Sequence, residues 1–326
     1  MIKRGSPDLF DDSVTKPDDF DAFWEAVQGE LDELPLDPHL RHIPERSTPE
    51  VDVFELHYTS LHGVRIAAWY CRPTTGYLDG PYPGLAVFPG YVSEPTLPKS
   101  WAKQGYAAIG VAPRGKLRSN AQFNPGYPGL LVHRLTDPNT YSYRAFYADA
   151  LRAVDVLLEL PEVDSSRIGL TGGSQGGALT LVAAALRRDV VTCGALAAPY
   201  LTGFMESAAL TRSYPYEEIN EYLRLYPDDR DQVRETTRYF DCLNFAPMIT
   251  APLLLHIGLM DDICPPETAY ALARRLECDL TFHQFAGCGH EAGRYWETPV
   301  LEAYLAERLK PGAWSREDLA SANATF

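Results

Sequence analysis

The chain alternates between short apolar runs and longer stretches in which apolar residues recur every three or four positions. The first pattern predicts buried strands and the second predicts amphipathic helices. Strands are predicted at residues 51–59, 64–71, 84–88, 106–111, 168–171, 190–197, 252–257 and 279–285. Helices are predicted at residues 17–34, 98–104, 140–160, 178–186, 265–275 and 298–309. Because strands alternate with helices, we expect an α/β fold with a mostly parallel central sheet and helices on both faces.

Residues 1–72 form an N-terminal helical and hairpin extension of this pattern. The apolar positions of its predicted helix are Phe20, Phe23, Trp24, Val27 and Leu31. Their helical spacing predicts a helix packed on the outside of the core. Between the first two predicted strands, Leu61-His62-Gly63 is typical of a hairpin connection. We expect a single domain over residues 1–326, since α/β folds of this length are commonly one domain.

Two segments interrupt the alternation of strands and helices. Residues 113–139 are polar and rich in proline and glycine. A loop of that length in a compact domain is usually functional or a subunit contact. Residues 203–239 are rich in tyrosine and charge, and we interpret them as a helical insertion after the fifth or sixth strand. We expect this insertion to form part of a pocket wall or a subunit contact.

A serine lies in a G-x-S-x-G pattern, Gly172-Gly173-Ser174-Gln175-Gly176, between a predicted strand and a predicted helix. Strand, sharp turn and helix are the context that a nucleophile elbow needs. The glycines allow close approach of strand and helix, and the helix N-terminus offers N–H groups to a developing oxyanion. We therefore predict that Ser174 is a catalytic nucleophile. The alternative is a glycine-rich turn with an incidental serine.

A serine nucleophile needs a general base, and the base needs an orienting carboxylate. In enzymes built on a nucleophile elbow, the acid and then the histidine follow the serine, on loops after later strands. The strand at 252–257 runs into Asp261 and Asp262, and the strand at 279–285 runs into His290. We predict His290 as the base and Asp261, the first polar residue after its strand, as the acid. Asp262 is the alternative acid.

The other histidines fit the role of the base less well. His256 lies within an apolar strand and is interpreted as a core residue, and His283 alternates within a strand. Five more precede the elbow, outside the expected order: His39, His42, His57, His62 and His133.

An oxyanion hole requires two N–H donors, one after the nucleophile and one from the loop after an earlier strand. We predict that these donors are the N–H groups of Gln175 and Tyr91, the second in the loop Phe88-Pro89-Gly90-Tyr91. A purely structural turn is the alternative for that loop.

The composition of the chain limits its expected binding partners and its expected cellular location. The formal net charge of the 326 residues is −15, which disfavours nucleic acid or an anionic membrane as a partner. The apolar runs fall short of the roughly 18–20 residues of a membrane span. The N-terminus lacks a signal-peptide core, so we expect a cytoplasmic protein. The six cysteines show no C-x-x-C pair, and we expect no metal site, no disulfide framework and no cofactor.

With these residues identified, the chain resembles the acetyl xylan esterase/cephalosporin C deacetylase family, the seventh carbohydrate esterase family. The segments that carry the resemblance are 17–24 (PDDFDAFW), 137–141 (DPNTY), 169–177 (GLTGGSQGG), 239–247 (YFDCLNFAP), 258–266 (GLMDDICPP) and 289–291 (GHE). The resemblance implies an α/β-hydrolase fold, with a triad at Ser174, Asp261 and His290 and an oxyanion hole from Tyr91 and Gln175. It also implies metal-free deacetylation of small acetylated substrates, and often a ring-shaped homo-hexamer with inward-facing active sites.

Two segments depart from the family pattern. The family's Arg-Gly-Gln signature reads Arg114-Gly115-Lys116, and the following Leu117-Arg118-Ser119-Asn120 is bulkier and more basic than the family's loop. The family's His-Gly-Tyr at the oxyanion loop reads Pro89-Gly90-Tyr91. We expect Arg114 to brace neighbouring loops. The change at Lys116 bears on the specificity for sugar esters and on the oligomer contact.

The resulting hypothesis is a serine carboxylester hydrolase that removes acetyl or other short acyl groups from small substrates such as xylo-oligosaccharides or cephalosporin C. One alternative is a different serine hydrolase, of aminopeptidase or lipase type, because the same triad serves amides and long-chain esters. The other alternative is a non-enzymatic receptor or scaffold with this fold.

Overall fold

The computed structural model describes residue 10, residues 13–310 and residue 312. Within this part of the chain, nine strands form one sheet. They are β1 (His39–His42), β2 (Val51–Ser60), β3 (Val64–Pro73), β4 (Tyr82–Phe88), β5 (Ala107–Ala112), β6 (Val163–Gly173), β7 (Val191–Ala197), β8 (Leu253–Gly258) and β9 (Leu280–Phe285). Their order in the sheet is β1-β2-β3-β5-β4-β6-β7-β8-β9.

The described α-helices lie on both faces of the sheet and in the insertion. They are α1 (Phe20–Asp32), α2 (Lys99–Lys103), α3 (Ser142–Glu159), α4 (Gln175–Leu186), α5 (Phe204–Leu210), α6 (Glu217–Leu225), α7 (Arg230–Arg238), α8 (Cys242–Phe245), α9 (Pro266–Arg275) and α10 (Arg294–Leu309). Helices α3 and α4 cover one face, and α2 and α10 cover the other. None of the helices described is both long and apolar enough to cross a membrane.

The sheet is mostly parallel, as the alternation of strands and helices predicts. Strands β4 to β9 all run in the same direction, and β3 pairs antiparallel with both β2 and β5. Successive side chains of the parallel strands enter different cores, because a pleated strand points alternate residues to opposite faces. Leu85 packs in the core that contains Leu305 of α10, whereas its neighbour Ala86 packs in the core that contains α3 and α4.

Several features differ from the sequence-based expectations, among them an extra strand, the place of the insertion and the start of the last helix. Strand β1 was not predicted because three of its four residues are exposed, so it leaves no apolar run. As a result, the insertion follows the seventh strand rather than a fifth or sixth. Helix α10 begins at Arg294, before the expected position 298, and contains Pro299. Proline favours the first turn of a helix, which explains why the pattern placed the start beside it.

The N-terminal helix packs against the helical layer as its apolar spacing predicts. Phe20, Trp24, Val27 and Leu31 are buried. The Trp24 indole N–H donates to the Tyr239 carbonyl oxygen at 2.9 Å, where the insertion ends. This contact joins the N-terminal extension to the end of the segment 203–239.

The parallel strands bring the predicted site residues to one edge of the sheet. Because carboxyl ends of parallel strands meet at the same edge, the loops after β4, β5, β6, β8 and β9 lie near one another. These loops carry, in that order, Tyr91, Lys116, Ser174, Asp261 and His290.

Candidate active site

Ser174 lies in a strained turn between β6 and α4. Its backbone has φ 57° and ψ −120°, a conformation that costs a non-glycine residue about 1–3 kcal/mol. The turn is held by the Ser174 N–H, which donates to the Ala197 carbonyl oxygen at 2.9 Å. The Ser174 carbonyl oxygen accepts from the Tyr200 N–H at 3.1 Å. These contacts to the end of β7 and to the loop after it fix the serine at the end of the sheet.

The glycines on either side of Ser174 are required by close contacts between backbone segments. A Cβ on Gly172 would come within 2.5 Å of the Gly176 carbonyl carbon, and one on Gly176 within 2.2 Å of the Phe88 carbonyl oxygen. The start of α4 therefore lies directly against the end of β4, where the loop to Tyr91 begins. The G-x-S-x-G pattern thus brings the serine and the predicted oxyanion loop together.

Asp261 and His290 form a hydrogen-bonded pair. His290 Nδ1 lies 2.8 Å from Asp261 Oδ2. The other carboxylate oxygen of Asp261 accepts from the N–H groups of Ile263 at 2.8 Å and Cys264 at 2.9 Å. With only 2% of Asp261 exposed, these bonds fix the direction of the carboxylate. Because Nδ1 faces the carboxylate, Nε2 is the ring nitrogen left for a reacting hydroxyl.

The alternative acid, Asp262, points elsewhere. It is exposed, and its carboxylate lies 3.5 Å from the Ser213 hydroxyl. Its carbonyl oxygen accepts from the Thr211 hydroxyl. The geometry therefore pairs Asp261, and not Asp262, with the imidazole of His290.

Cys264 lies beside the acid and base. Burial raises the pKa of its thiol well above the ordinary value. Ligand-type atoms of Asp261, Cys264 and His290 lie within 4.8 Å of one another, a group of metal-ligand character among the described residues. Both carboxylate oxygens of Asp261 already accept hydrogen bonds and the thiol is held protonated, so the set fits an acid–base pair beside a nucleophile better than a metal site.

The predicted oxyanion donors lie on either side of the serine. Gln175 is the first residue of α4, and its side-chain amide donates to the Tyr143 hydroxyl at 2.7 Å. Tyr91 lies in the loop after β4 and is 7% exposed. Within the described residues, neither backbone N–H donates to a protein acceptor. Both N–H groups are thus available to a ligand.

The Tyr91 side chain is anchored outside the sheet. Its hydroxyl donates to Glu218 Oε1 at 2.7 Å and accepts from the Leu131 N–H at 3.0 Å. Glu218 Oε2 in turn accepts from the Gly129 N–H at 2.8 Å. Burial is the main cause that raises the pKa of the Glu218 carboxyl above its ordinary value. The insertion and the loop 113–139 therefore both hold the oxyanion loop.

Arg114 and Lys116 both lie in the loop after β5, and each side chain binds a neighbouring segment. The Arg114 guanidinium is buried and donates to both Asp149 oxygens, at 2.9 and 2.8 Å, and to the Leu61 carbonyl oxygen at 3.1 Å. This is the bracing role expected for it. The Lys116 ammonium donates to the carbonyl oxygens of Gly90, at 2.8 Å, and of Tyr91.

Ser174 and His290 line two adjoining cavities. One has a volume of about 290 Å³ and is largely apolar, with walls from Tyr91, Val92, Tyr127, Pro128, Pro215 and Ile263. The other, more polar cavity has a volume of about 470 Å³ and walls that include His256, Glu291, Arg294 and Glu297. The expected contribution of the insertion to the pocket wall is visible in Pro215.

Several residues of the site carry no signal that sequence reasoning could use. Glu218 is a glutamate in an amphipathic helix, and only the tertiary contact shows its link to Tyr91. His256 is buried as expected, yet it also lines the more polar cavity. Lys116 was recognised as a departure from a pattern, but its contact with the oxyanion loop was not predicted.

Comparisons with known proteins show the family and the fold that this chain is similar to. A model of the acetyl xylan esterase family matches residues 9–307. The acetyl esterase Axe7A of Xylanibacter ruminicola is 28% identical over 284 residues, which cover 82% of this chain and 62% of that protein. The acetyl xylan esterase from Paenibacillus sp. R4 has a solved structure with a TM-score of 0.84 and 30% identity, covering 91% of this chain and 96% of that one.

A second solved structure has the same fold over nearly its whole length. Acetyl xylan esterase 1 from Thermoanaerobacterium sp. JW/SL YS485 gives a TM-score of 0.81 at 26% identity, covering 93% of this chain and 96% of that one. These relatives have the α/β-hydrolase fold expected from the sequence. Because the family match spans most of the chain, this protein belongs to the acetyl xylan esterase family, a family of serine esterases.

Proposed function

We propose that this protein is a serine carboxylester hydrolase that removes acetyl or other short acyl groups from small substrates. The observation that carries the proposal is that the side chains of Ser174, His290 and Asp261 lie together at one edge of the sheet. Ser174 occupies the strained turn, His290 is hydrogen-bonded to Asp261 at 2.8 Å, and serine and histidine line the same cavities.

In the proposed mechanism, His290 Nε2 takes the proton of the Ser174 hydroxyl as its oxygen attacks the ester carbonyl carbon. Asp261 holds Nδ1–H and stabilises the imidazolium that forms. The N–H groups of Tyr91 and Gln175 donate to the negative oxygen of the tetrahedral intermediate. The imidazolium then protonates the leaving alcohol, which leaves an acyl-enzyme. A water molecule activated by His290 releases the acid and restores Ser174.

The size of the apolar cavity supports a short acyl group. Its volume of about 290 Å³ lies just below the roughly 300–1,000 Å³ of pockets that hold drug-sized ligands. The adjoining, more polar cavity, with charged and imidazole side chains, suits a hydroxyl-rich alcohol. Acetylated xylo-oligosaccharides fit this division, and the antibiotic ester cephalosporin C is a second candidate.

A substrate panel tests the proposal. Acetate release is measured at neutral pH from nitrophenyl acetate, acetylated xylo-oligosaccharides and cephalosporin C, with Ser174→Ala as control. We expect release from all three by the wild type and loss in the variant. Release from nitrophenyl acetate alone would support the esterase activity and contradict the proposed sugar and antibiotic substrates.

A chain-length series separates the esterase from its alternatives. Nitrophenyl esters from acetate to palmitate, together with an amino-acyl anilide, cover the lipase and aminopeptidase types. We expect activity to fall as the acyl chain grows, because the apolar cavity is small. Activity that rises toward long chains or the anilide would contradict the acetyl specificity. An absence of any hydrolysis would favour the receptor or scaffold alternative.

The homo-hexamer and the cytoplasmic location rest on the sequence and on the family resemblance, and both stay predictions. Light scattering coupled to size-exclusion chromatography measures the mass of the assembly directly. A mass near that of six chains of 36.3 kDa each would support the hexamer.

A further inference from the structure

Lys116 is a buried cation aimed at backbone carbonyl groups. It is 1% exposed, and its ammonium donates to the carbonyl oxygens of Gly90, at 2.8 Å, and of Tyr91. It also lies 4.8 Å from the centre of the Tyr127 ring. Within the described part of the chain, no carboxylate forms a salt bridge with it. Its charge is therefore offset by peptide dipoles and an aromatic face rather than by a counter-ion.

The acceptor at Gly90 belongs to a particular peptide unit. The carbonyl of Gly90 and the N–H of Tyr91 are the two ends of one planar amide. A charged donor on the oxygen draws electron density from the nitrogen, so the N–H becomes a stronger donor. Hydrogen bonds strengthen one another in this cooperative way when they share a polarisable group in a low-dielectric site.

We propose that Lys116 polarises the Gly90–Tyr91 peptide and so strengthens the Tyr91 N–H as an oxyanion donor, acting as a positioning residue of the hydrolysis reaction. The inference rests on the proposed serine esterase function. Lys116 itself touches neither the substrate nor the reacting atoms. Its effect passes through the peptide to the negative oxygen of the tetrahedral intermediate.

The charge of Lys116 is within reach of an ordinary pH titration. Burial lowers the pKa of its ammonium to about 8, and the charge of Glu94 partly opposes that shift. Glu94 is exposed and faces Lys116 from the oxyanion loop, where its carboxylate accepts from the Leu117 N–H at 2.9 Å. The other ionisable neighbours are Tyr127, whose pKa burial raises, and Glu218 behind the Tyr91 ring. Loss of the ammonium charge above pH 8 is expected to lower the rate of hydrolysis.

The test separates the effect of the Lys116 charge from the effect of its hydrogen bonds to the oxyanion loop. Lys116→Gln keeps N–H donors for the two carbonyl groups but removes the charge. Lys116→Arg keeps the charge, and Lys116→Met removes both. For each variant, kcat and KM for nitrophenyl acetate are measured from pH 6 to 10, with the melting temperature recorded alongside. Lys103→Gln, which changes an exposed lysine, is the matched control.

We expect Lys116→Gln to lower kcat at pH 7 by about tenfold with little change in KM, because a weakened donor costs less than a lost one. Its profile should also lack the fall in rate above pH 8 that the wild type shows. Glu94→Gln should move that fall to lower pH, because it removes the carboxylate that favours the ammonium. Lys116→Arg should retain most of the activity at pH 7, and Lys103→Gln should leave kcat and the profile unchanged.

A Lys116→Gln variant with wild-type kcat and the same fall in rate above pH 8 would overturn the inference. Equal losses in Lys116→Gln and Lys116→Arg would also overturn it, since geometry and not charge would then decide the rate. Ser174→Ala separates this failure from that of the proposed function. If Ser174→Ala keeps its activity, the esterase assignment itself is wrong, whatever Lys116 does.

Discussion

The acid–base pair and the oxyanion loop reach the same cavity by different means. Asp261 and His290 stand at the ends of the adjacent parallel strands β8 and β9, so the sheet alone brings them together. Tyr91 also follows a strand of the sheet, but its loop is held by side chains from outside. Lys116 binds its carbonyl groups, and Glu218, 127 positions away in sequence, binds its hydroxyl.

In the proposed mechanism, this difference separates the triad from the segments that shape the pocket. The sheet positions the proposed nucleophile, base and acid, and their placement follows from the fold alone. The oxyanion loop and the walls of the apolar cavity depend on the loop 113–139 and on the insertion, which lie outside the sheet. We therefore expect changes in these segments to alter the strength of the oxyanion hole and the shape of the pocket while the triad stays in place.

The largest expected effect comes from removing the proposed nucleophile, which the sheet positions. Ser174→Ala should lower kcat by about 10⁴-fold or more, as loss of a triad serine does elsewhere. Its melting temperature should stay close to that of the wild type, since only a hydroxyl is lost. Labelling by a fluorophosphonate probe provides a second readout. A variant that still reacts with the probe would show that another residue is the nucleophile.

Replacing each of the two neighbouring aspartates in turn by asparagine tests which of them is the acid that orients His290. Asp261→Asn should lower kcat by about 10³–10⁴-fold, because the amide cannot hold the imidazole tautomer and charge as the carboxylate does. Asp262→Asn is the matched control and should change kcat by no more than about twofold, since its side chain is exposed and points to Ser213. Steady-state kinetics on nitrophenyl acetate decide between them. A larger loss in Asp262→Asn would reverse the assignment.

Removing the anchor from the insertion tests the other region. Glu218→Ala leaves the buried Tyr91 hydroxyl without its acceptor and the Gly129 N–H without a partner. We expect kcat to fall about tenfold, because a displaced oxyanion donor stabilises the intermediate less well. The free energy of unfolding should fall by about 2–3 kcal/mol. Glu235→Ala on α7, an exposed position, is the control. Unchanged kcat in Glu218→Ala would show that Tyr91 keeps its position without the insertion.

The two regions also differ in how far they could be predicted. The strand order around Ser174, Asp261 and His290 follows from apolar runs and glycine-rich turns, which are local patterns. The elbow serine is marked by glycines that backbone contacts require. Glu218 and the contact of Lys116 depend on side chains that meet only after the chain has folded, so no local pattern marks them. Strand β1 was not predicted for a related reason. It pairs with β2 through backbone hydrogen bonds, and its exposed side chains leave no apolar run in the sequence.

The smallest expected effect concerns stability rather than rate. Burial lowers the pKa of Lys116 to about 8 from an ordinary value of 10.5. Between these two pH values the unfolded chain binds more protons at this lysine than the folded protein does. The lysine's contribution to the unfolding free energy therefore rises with pH in this window. Relative to Lys116→Gln, the wild type should gain about 2 kcal/mol between pH 7.5 and 10.

Urea unfolding of both proteins at several pH values measures this difference, and the comparison cancels the titration of other groups. Over the same window the wild-type rate should fall, because the ammonium charge behind the oxyanion peptide is lost. As the pH rises, the contribution of Lys116 to the unfolding free energy should thus increase while its contribution to the rate of hydrolysis decreases. The rise in stability follows from the lowered pKa whatever the lysine does for catalysis, so the fall in rate is the half of this comparison that tests the polarising role.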